Sequence, residues 1–367
     1  MNFDGSKIEI KSRFKLTKSS LPKIYTPGVA NVSLAIAKDK KKAYDHTFKK
    51  NSVAIVSDGS AVLGLGNIGP EAALPVMEGK AVIFKELSGV DAVPIVLATQ
   101  EVEEIIKIVK AISPTFGGIN LEDISAPRCF EIERRLIKEL DIPIFHDDQH
   151  GTAIVVLAGL INALKLTGKD KKNAKVIISG AGAAGIAITK LLLEFGVKNI
   201  IIFDTRGAIY SGRKEGMNEA KVEIAKRTNK LKLKGSLKES LIRSDVFIGV
   251  SAPNLLKASD IEKMNKKAIV FALSNPVPEI SYAEAKKGGA QIIATGRSDF
   301  PNQINNALVF PGIFRGALDA RARFISNAHK LKAAETIAGL VKKPRNDKIV
   351  PAVLDRRAAK AVANVFK

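Results

Sequence analysis

The sequence predicts an α/β protein in two parts. An N-terminal α/β unit spans residues 1–152, and a doubly wound, Rossmann-type unit with a helical C-terminal tail spans residues 153–367. Three observations carry that reading. Short apolar runs alternate with helical stretches along most of the chain, the pattern of strand–helix–strand units on a parallel sheet. A glycine-rich run from Gly180 to Gly185 stands between a strand and a helix, and an acid ends the following strand. Two pairs of adjacent acids, Glu122-Asp123 and Asp147-Asp148, each close a predicted strand.

Bulk composition bounds the rest. The 367 residues are enough for two cores, and 46% hydrophobic with 26% charged residues is a soluble globular composition. No apolar stretch reads as long and uninterrupted enough to span a bilayer, so no membrane contact is expected. The N-terminus lacks a signal-peptide core, and Asp4 and Glu9 argue against a transit peptide. The single cysteine, Cys129, excludes an internal disulfide and fits a reducing cytoplasm; with no motif around it, it reads as a packed thiol. The net charge is +21, yet the lysines are scattered, with modest clusters at 38–42 and 165–175, and there is no Trp to stack bases. A solvated surface that attracts anionic metabolites is the better reading than nucleic-acid binding.

Before residue 50 the chain is basic and broken by turns. There Tyr25 to Ala30 reads YTPGVA, with a Pro27-Gly28 turn and Tyr25 extended before it. By itself that tyrosine reads as a structural aromatic. Residues 53–56 form a strand ending in Ser57-Asp58-Gly59, and residues 61–65 form another. Gly64 to Gly69 matches GxGxxG, but Pro75 interrupts any helix begun at Pro70 and no acid-tipped strand follows. It reads as a tight turn whose amides cradle an anion. Residues 80–85 read as a strand with a lysine at each end; Lys80 serves as a base only if burial lowers its pKa.

A strand at 93–98 and an amphipathic helix at 101–112 come next. A strand then closes on Glu122-Asp123, a helix covers 128–140, and a strand at 142–145 runs into Asp147-Asp148 and a Gly151-Thr152 turn. Strands joined through a helix in a parallel sheet end on the same edge, which brings the acids together. Converging carboxylates repel unless a cation lies between them, and hard oxygen donors select Mg²⁺ or Mn²⁺. Either pair alone reads as helix capping; two pairs at equivalent strand ends make a metal site an equal alternative. His146 and His150 make a weak zinc motif, because the segment between them reads as a turn and Asp147 replaces the expected glutamate.

Residues 153–166 are apolar nearly all round, a buried helix joining the two units. After the strand at 175–179, Gly180, Gly182, Ala183, Ala184 and Gly185 open a helix, and the strand at 199–203 ends in Asp204, 19 residues past Gly185. The glycines permit close approach of a pyrophosphate, and the helix N-terminus holds its charge. A bound dinucleotide follows. Asp204 in that place favours NAD, whereas Arg206, Arg213 and Lys214 offer partners for the extra phosphate of NADP, so both remain open. Strands at 245–250, 268–273 and 291–295 end in small polar residues suited to orienting a nicotinamide. Asn305-Asn306 then precedes a strand at 307–310, and a helical tail runs to residue 367 with a break at 343–351.

The motifs YTPGVA, SDGSAVLGLGNIGPEAALPVMEGKAVIFK, GGINLEDISAPRCFEIE, IPIFHDDQHGTA, SGAGAAGIA, ALSNP and NNALVFPGIFRGALDARA closely resemble the small bacterial and archaeal malic enzymes, from about residue 7 to the end. The resemblance implies oxidative decarboxylation of L-malate to pyruvate and CO2 with NAD or NADP and Mg²⁺ or Mn²⁺, in a homodimer. It implies Glu122, Asp123 and Asp148 as metal ligands, Asp147 as the supporting acid, Lys80 as base and Tyr25 as proton donor. Asn275 and Asn306 match asparagines that contact substrate and nicotinamide. One departure stands out: larger members carry an arginine before the GLG turn that binds a substrate carboxylate, and Ala61 stands there here. The turn amides are the candidate for that carboxylate. Some members add a phosphotransacetylase-like domain, which this sequence ends short of. A non-decarboxylating malate dehydrogenase is the rival reading; it would share the glycine loop without needing the acids.

Overall fold

The computed structural model describes residues 5–367; Asp4 lies outside them. Two parallel sheets organise the chain. The first has the order β2-β1-β3-β4, formed by β1 (Ser52–Ser57), β2 (Asp91–Val96), β3 (Gly118–Leu121) and β4 (Ile144–His146). Every residue of β1, β3 and β4 is buried, as strands covered on both faces must be. Alternation along β1 sends Ala54 and Val56 to one side, against Ile105, Val109, Ile132 and Leu136 of the Val102–Ile112 and Arg128–Glu139 helices. Val53 and Ile55 face the other side, in the cluster that holds Phe84, Phe310 and Phe314.

The second sheet is β10-β9-β8-β5-β6-β7, from β5 (Lys175–Ser179), β6 (Asn199–Asp204), β7 (Gly207–Ala208), β8 (Val246–Gly249), β9 (Ile269–Ala272) and β10 (Ile292–Thr295). All of its pairs are parallel except β6 with β7. The order reverses beside β5, and the glycine loop leaves the end of that strand, at the switch point where doubly wound sheets bind nucleotides.

Between the sheets runs the Asp147–Thr167 helix. It begins directly after β4, so Gly151 and Thr152 are helical and not the expected turn, and the interval from His146 to His150 is helical too. Gly151 is there for space. A Cβ on it would collide with the Asp147 carboxylate and press on Asn306. This helix is long and apolar enough to cross a membrane by length and composition, contrary to the reading that no such stretch exists; here it lies in the core. Asn162 shows how it is fastened. Its buried amide donates to the carbonyls of Ala338 (3.0 Å) and Ile349 (2.8 Å) in the tail. Asn162→Ala is expected to destabilise the fold by about 1–3 kcal/mol, since two carbonyls lose their donor; thermal unfolding checks it.

Three further expectations are corrected. Residues 61–65 form a turn with a single bridge between Val62 and Gly66, not a strand. Residues 80–85 belong to the Pro70–Ser88 helix, which continues through Pro75. The missing N–H of that proline costs about 3 kcal/mol or more. The buried stripe Ala73, Met77, Lys80, Ala81 and Phe84 offsets it, recurring at the helical period along one face. Residues 307–310 are no strand either: a short turn, Asn306–Leu308, leads into the Phe310–Asp319 helix. The tail continues as the Asn327–Gly339 and Arg356–Ala363 helices. It also reaches back, placing Phe310 and Phe314 against Phe84 at centroid separations of 4.7 and 5.5 Å, so it helps to cover the first sheet.

Candidate metal and dinucleotide site

Register explains why the acids meet. Leu121 pairs with His146 across β3 and β4, so Glu122-Asp123 and Asp147-Asp148 leave neighbouring parallel strands at one edge. Glu122, Asp123 and Asp148 each bring an oxygen into a group spanning no more than 4.8 Å. Asp123 reaches it from a left-handed backbone conformation (φ 53°), uncommon without glycine, and its N–H donates to Asp148 Oδ2 at 2.8 Å. Asn120 Nδ2 donates to Glu122 Oε2 at 2.9 Å.

Lys80 enters from the Pro70–Ser88 helix. Its Nζ pairs with Asp147 Oδ2 and with Glu122 Oε2 (2.9 Å), and stands 3.9 Å from the centroid of the Phe310 ring. Burial works to lower its pKa, but Asp147 and Glu122 outweigh burial and hold it above the usual lysine value. In this arrangement Lys80 is an ammonium, not the neutral amine that the base role calls for.

The acids move the other way. Burial, reinforced by Asp148 and Glu122, pushes Asp123 up to about 9. Burial raises Glu122 to about 7 and Asp147 to about 7, in each case against the opposing pull of Lys80. Asp148 rises to about 6 for the same reason. Buried oxygens on Asp123 (Oδ2) and Asp147 (Oδ1) have no hydrogen-bond partner. A donor set of three hard oxygens, crowded and under-compensated, suits a divalent cation of the Mg²⁺ or Mn²⁺ kind.

Glu133 escaped the sequence reading. It is buried on the Arg128–Glu139 helix and accepts the backbone N–H of His146 (2.8 Å), Gln149 Nε2 (3.1 Å) and His150 Nε2 (2.9 Å). It thereby holds the start of the central helix, and with it Asp147 and Asp148. Burial opposes ionisation, but His150 and Lys330 prevail, and the carboxyl sits down at about 2. His150 Nδ1 lies 3.1 Å from Lys330 Nζ, while burial lowers His146 to about 4 and leaves both its ring nitrogens without partners. A cavity of about 680 Å³ opens beside this network and is lined by Glu133, His150 and Lys330; none of the clustered acids lines it.

The glycine-rich loop from Gly180 to Gly185 follows the sequence closely. Gly180 adopts φ 109°, Gly182 caps the Ala183–Phe195 helix, and a Cβ on Gly185 would collide with the carbonyl of Gly180. No atom stands within 4 Å of where a Cβ on Gly182 would lie, which leaves the approach to the helix N-terminus clear. Ala183 and Ala184 begin the first turn. Glu279, also missed, is fully buried and accepts the N–H groups of Ser251 (2.7 Å) and Ser274 (3.1 Å), tying the ends of β8 and β9 together. No pattern around it would have marked it.

The two parts of the site touch. The space where Gly64 would carry a side chain is taken by the carbonyl of Asn275, and Asn306 stands beside Gly151 and Asp147. The GLG turn is less of an anion cradle than expected: the amides of Leu65, Ile68 and Gly69 donate to the carbonyls of Val62 and Gly59, leaving those of Gly64, Gly66 and Asn67. Tyr25 is 67% exposed at the end of the short Leu21–Ile24 helix and makes no side-chain hydrogen bond to the clustered acids. Asp204 is engaged by Arg213 and Lys221 instead of standing free for a ribose.

Comparison with known proteins agrees along the whole chain. The family model "Malic enzyme, N-terminal domain" matches residues 6–101 and 98–137, and "Malic enzyme, NAD binding domain" matches residues 149–366. The chain is 56% identical to the bifunctional malic/malolactic enzyme of Bacillus subtilis, covering 97% of this chain and 88% of that one. It is 57% identical to the NAD-dependent malic enzyme of Geobacillus stearothermophilus (98% and 75%) and 50% identical to the NADP-dependent malic enzyme of Rhizobium meliloti (93% and 45%). The crystal structure of the NAD-dependent malic enzyme from Thermotoga maritima superposes with a TM-score of 0.96 at 50% identity, covering 99% of this chain and 96% of that one.

Proposed function

The chain belongs to the malic enzyme family, and we propose that it oxidises and decarboxylates L-malate at the Glu122, Asp123 and Asp148 cluster, with Mg²⁺ or Mn²⁺ as the resident cation. It is an NAD(P)-dependent oxidoreductase, with the cofactor assigned to the loop from Gly180 to Gly185. The observation that carries the site assignment is the convergence of three carboxylate donors within 4.8 Å, with Lys80 beside them.

When bound, the cation supplies charge that acidifies the malate hydroxyl and offsets the negative charge left by CO2, and the nicotinamide takes the hydride. The residues of the chain handle the protons. Lys80 Nζ receives the hydroxyl proton once it has given up its own. A cation held by Glu122 would weaken the attraction that keeps Lys80 protonated, and Asp147 Oδ2 stands in contact to take that proton. Phe310 closes one side of the amine and excludes water from it. Asn275 and Asn306 orient substrate and nicotinamide through their amides. The amides of Gly64, Gly66 and Asn67 are the donors for the distal malate carboxylate, in the absence of an arginine at Ala61.

Tyr25 is assigned as the donor to the enolpyruvate carbon, within a homodimer. No residue from 5 to 51 is buried, and Ile10, Phe14, Leu16, Leu21 and Ile24 are exposed beside Tyr25. An arm that is basic yet exposes these large apolar side chains is the surface for a second copy.

The test is an initial-rate assay with L-malate and NAD or NADP, with and without Mn²⁺. One CO2 and one pyruvate per reduced cofactor, dependent on metal, is the expected result. Reduced cofactor without CO2 would show a non-decarboxylating dehydrogenase, and lactate in place of pyruvate would show malolactic chemistry.

The raised acids also set a pH dependence. A carboxyl whose folded pKa lies above its unfolded value stabilises the fold only while protonated. That stability is complete below about 4 and is lost as pH rises through the folded values. For Asp148, Glu122 and Asp123 those lie at about 6, 7 and 9. In EDTA the Tm is therefore expected to fall between pH 5 and 9, and Mn²⁺ to raise it more at pH 8 than at pH 5.5, where protons compete for the ligands. Equal Mn²⁺ shifts at both pH values would remove the cluster as the binding site.

A further inference from the structure

Past the end of β6 the charges are arranged to discriminate between NAD and NADP. A free carboxylate at the position of Asp204 accepts adenosine ribose hydroxyls and repels a 2′-phosphate. This one is not free. Its Oδ1 accepts the backbone N–H of Arg206 (2.9 Å) and Nη2 of Arg213 (2.8 Å), and its Oδ2 accepts Arg213 Nη2 (2.7 Å) and Lys221 Nζ (2.7 Å). These contacts fill the roughly four lone-pair sites that a carboxylate offers.

The clamp is set by the protein itself. Arg213 also donates to the carbonyls of Gly207 (3.1 Å), Ala208 (3.1 Å) and Glu215 (2.9 Å), and Lys221 to that of Gly216 (2.8 Å). The Asp204 and Arg213 side chains are 9% and 6% exposed. Burial acts to raise the Asp204 carboxyl, but the bonds from Lys221 and Arg213 outweigh it and hold it below the usual value, so the ion pairs persist at neutral pH. One acid between two cations leaves the trio with a net positive charge. Arg206 follows Asp204 by two residues, its stem over Gly216 and its side chain 59% exposed. Its acidic neighbour, Glu215, is 3.4 Å away and 82% exposed, a weak hold in water.

We propose that this chain selects the 2′-phosphorylated dinucleotide, with Arg206 pairing with the 2′-phosphate while Arg213 and Lys221 withhold Asp204 from the ribose. The proposal rests on the assignment of the pyrophosphate to the loop from Gly180 to Gly185. Within it, Arg206 is the specificity-determining contact, and Lys221 acts through Asp204 as a positioning residue.

Titration calorimetry on the full chain, with adenosine 2′,5′-bisphosphate against 5′-AMP, separates the possibilities. The bisphosphate is expected to bind about tenfold or more tightly, a difference of ~1.4 kcal/mol for a charge-assisted contact. That preference should shrink as salt rises. Arg206→Ala should remove most of it with little change in the Kd for 5′-AMP. Lys221→Met should weaken the bisphosphate and tighten 5′-AMP, because Asp204 regains a free oxygen. The ratio of kcat/KM for NADP over NAD should fall in both variants. Wild-type affinity for 5′-AMP equal to that for the bisphosphate, or an unchanged ratio in Arg206→Ala, overturns the selectivity alone. Failure of both nucleotides to bind overturns the loop assignment and the selectivity with it.

Discussion

Lys80→Met is expected to lower kcat for malate oxidation by roughly 10²- to 10⁴-fold, the range for loss of a general acid–base group. The same change removes the cation that faces Asp147 and Glu122, both buried. Breaking such a buried pair costs about 3–5 kcal/mol when the partner stays charged. Here the two acids already sit at about 7, so near neutral pH they relieve much of that cost by taking up protons. Lys80→Met is therefore expected to fold, with a lower Tm that recovers on acidification. Lys80→Arg separates chemistry from structure. A guanidinium keeps the charge facing Asp147 but does not release a proton, so this variant should regain stability and stay inactive. Wild-type kcat in either variant, measured at saturating malate and Mn²⁺, would remove Lys80 from the proton path.

Asp148→Asn is expected to weaken Mn²⁺ by at least about 100-fold, since loss of even a supporting bond to a ligand costs 10–100-fold. Turnover should fall by about 10²- to 10³-fold, as on loss of one electrostatic contact to the reacting centre. The variant carries a second signature. Asp148 is the main charge raising Asp123, after burial, and it also raises Glu122. Without that charge the remaining acids repel less, so in EDTA at pH 8 Asp148→Asn should melt higher than the wild type while gaining less from Mn²⁺. A residue that only braced the fold would melt lower under both conditions. Near wild-type Mn²⁺ affinity would sink the ligand assignment.

Much of the scaffold is written locally. Strand 175–179, the loop from Gly180 to Gly185 and the strand ending in Asp204 all form where the sequence places them. Each depends on contacts between residues close in the chain: a tight turn, a helix start, an apolar run. The meeting of the acid pairs was also legible, because two strands joined by a helix in a parallel sheet have little choice of edge. The stretch around Lys80 was not. Pro75 read as a break and VIF as a strand, while the helical stripe from Ala73 to Phe84 shows itself only once a sheet and the tail helices exist to bury it. The central helix misled in the same way, since Gly151 reads as a turn residue until Asp147 is seen filling the space beside it.

The sequence by itself determined the two parallel sheets, the glycine-rich loop that opens a helix and the edge at which the acids emerge, because periodicity and short-range sterics suffice for these. Only the tertiary structure decided the charge states and the partners. Lys80 meets Asp147 across 67 residues of chain and becomes an ammonium because two buried acids face it. Glu133 fastens the helix that carries Asp147 and Asp148, and Asp204 is engaged by Arg213 and Lys221. Protonation and pairing depend on burial and on distances between groups far apart in sequence, and those exist only once the chain has closed on itself.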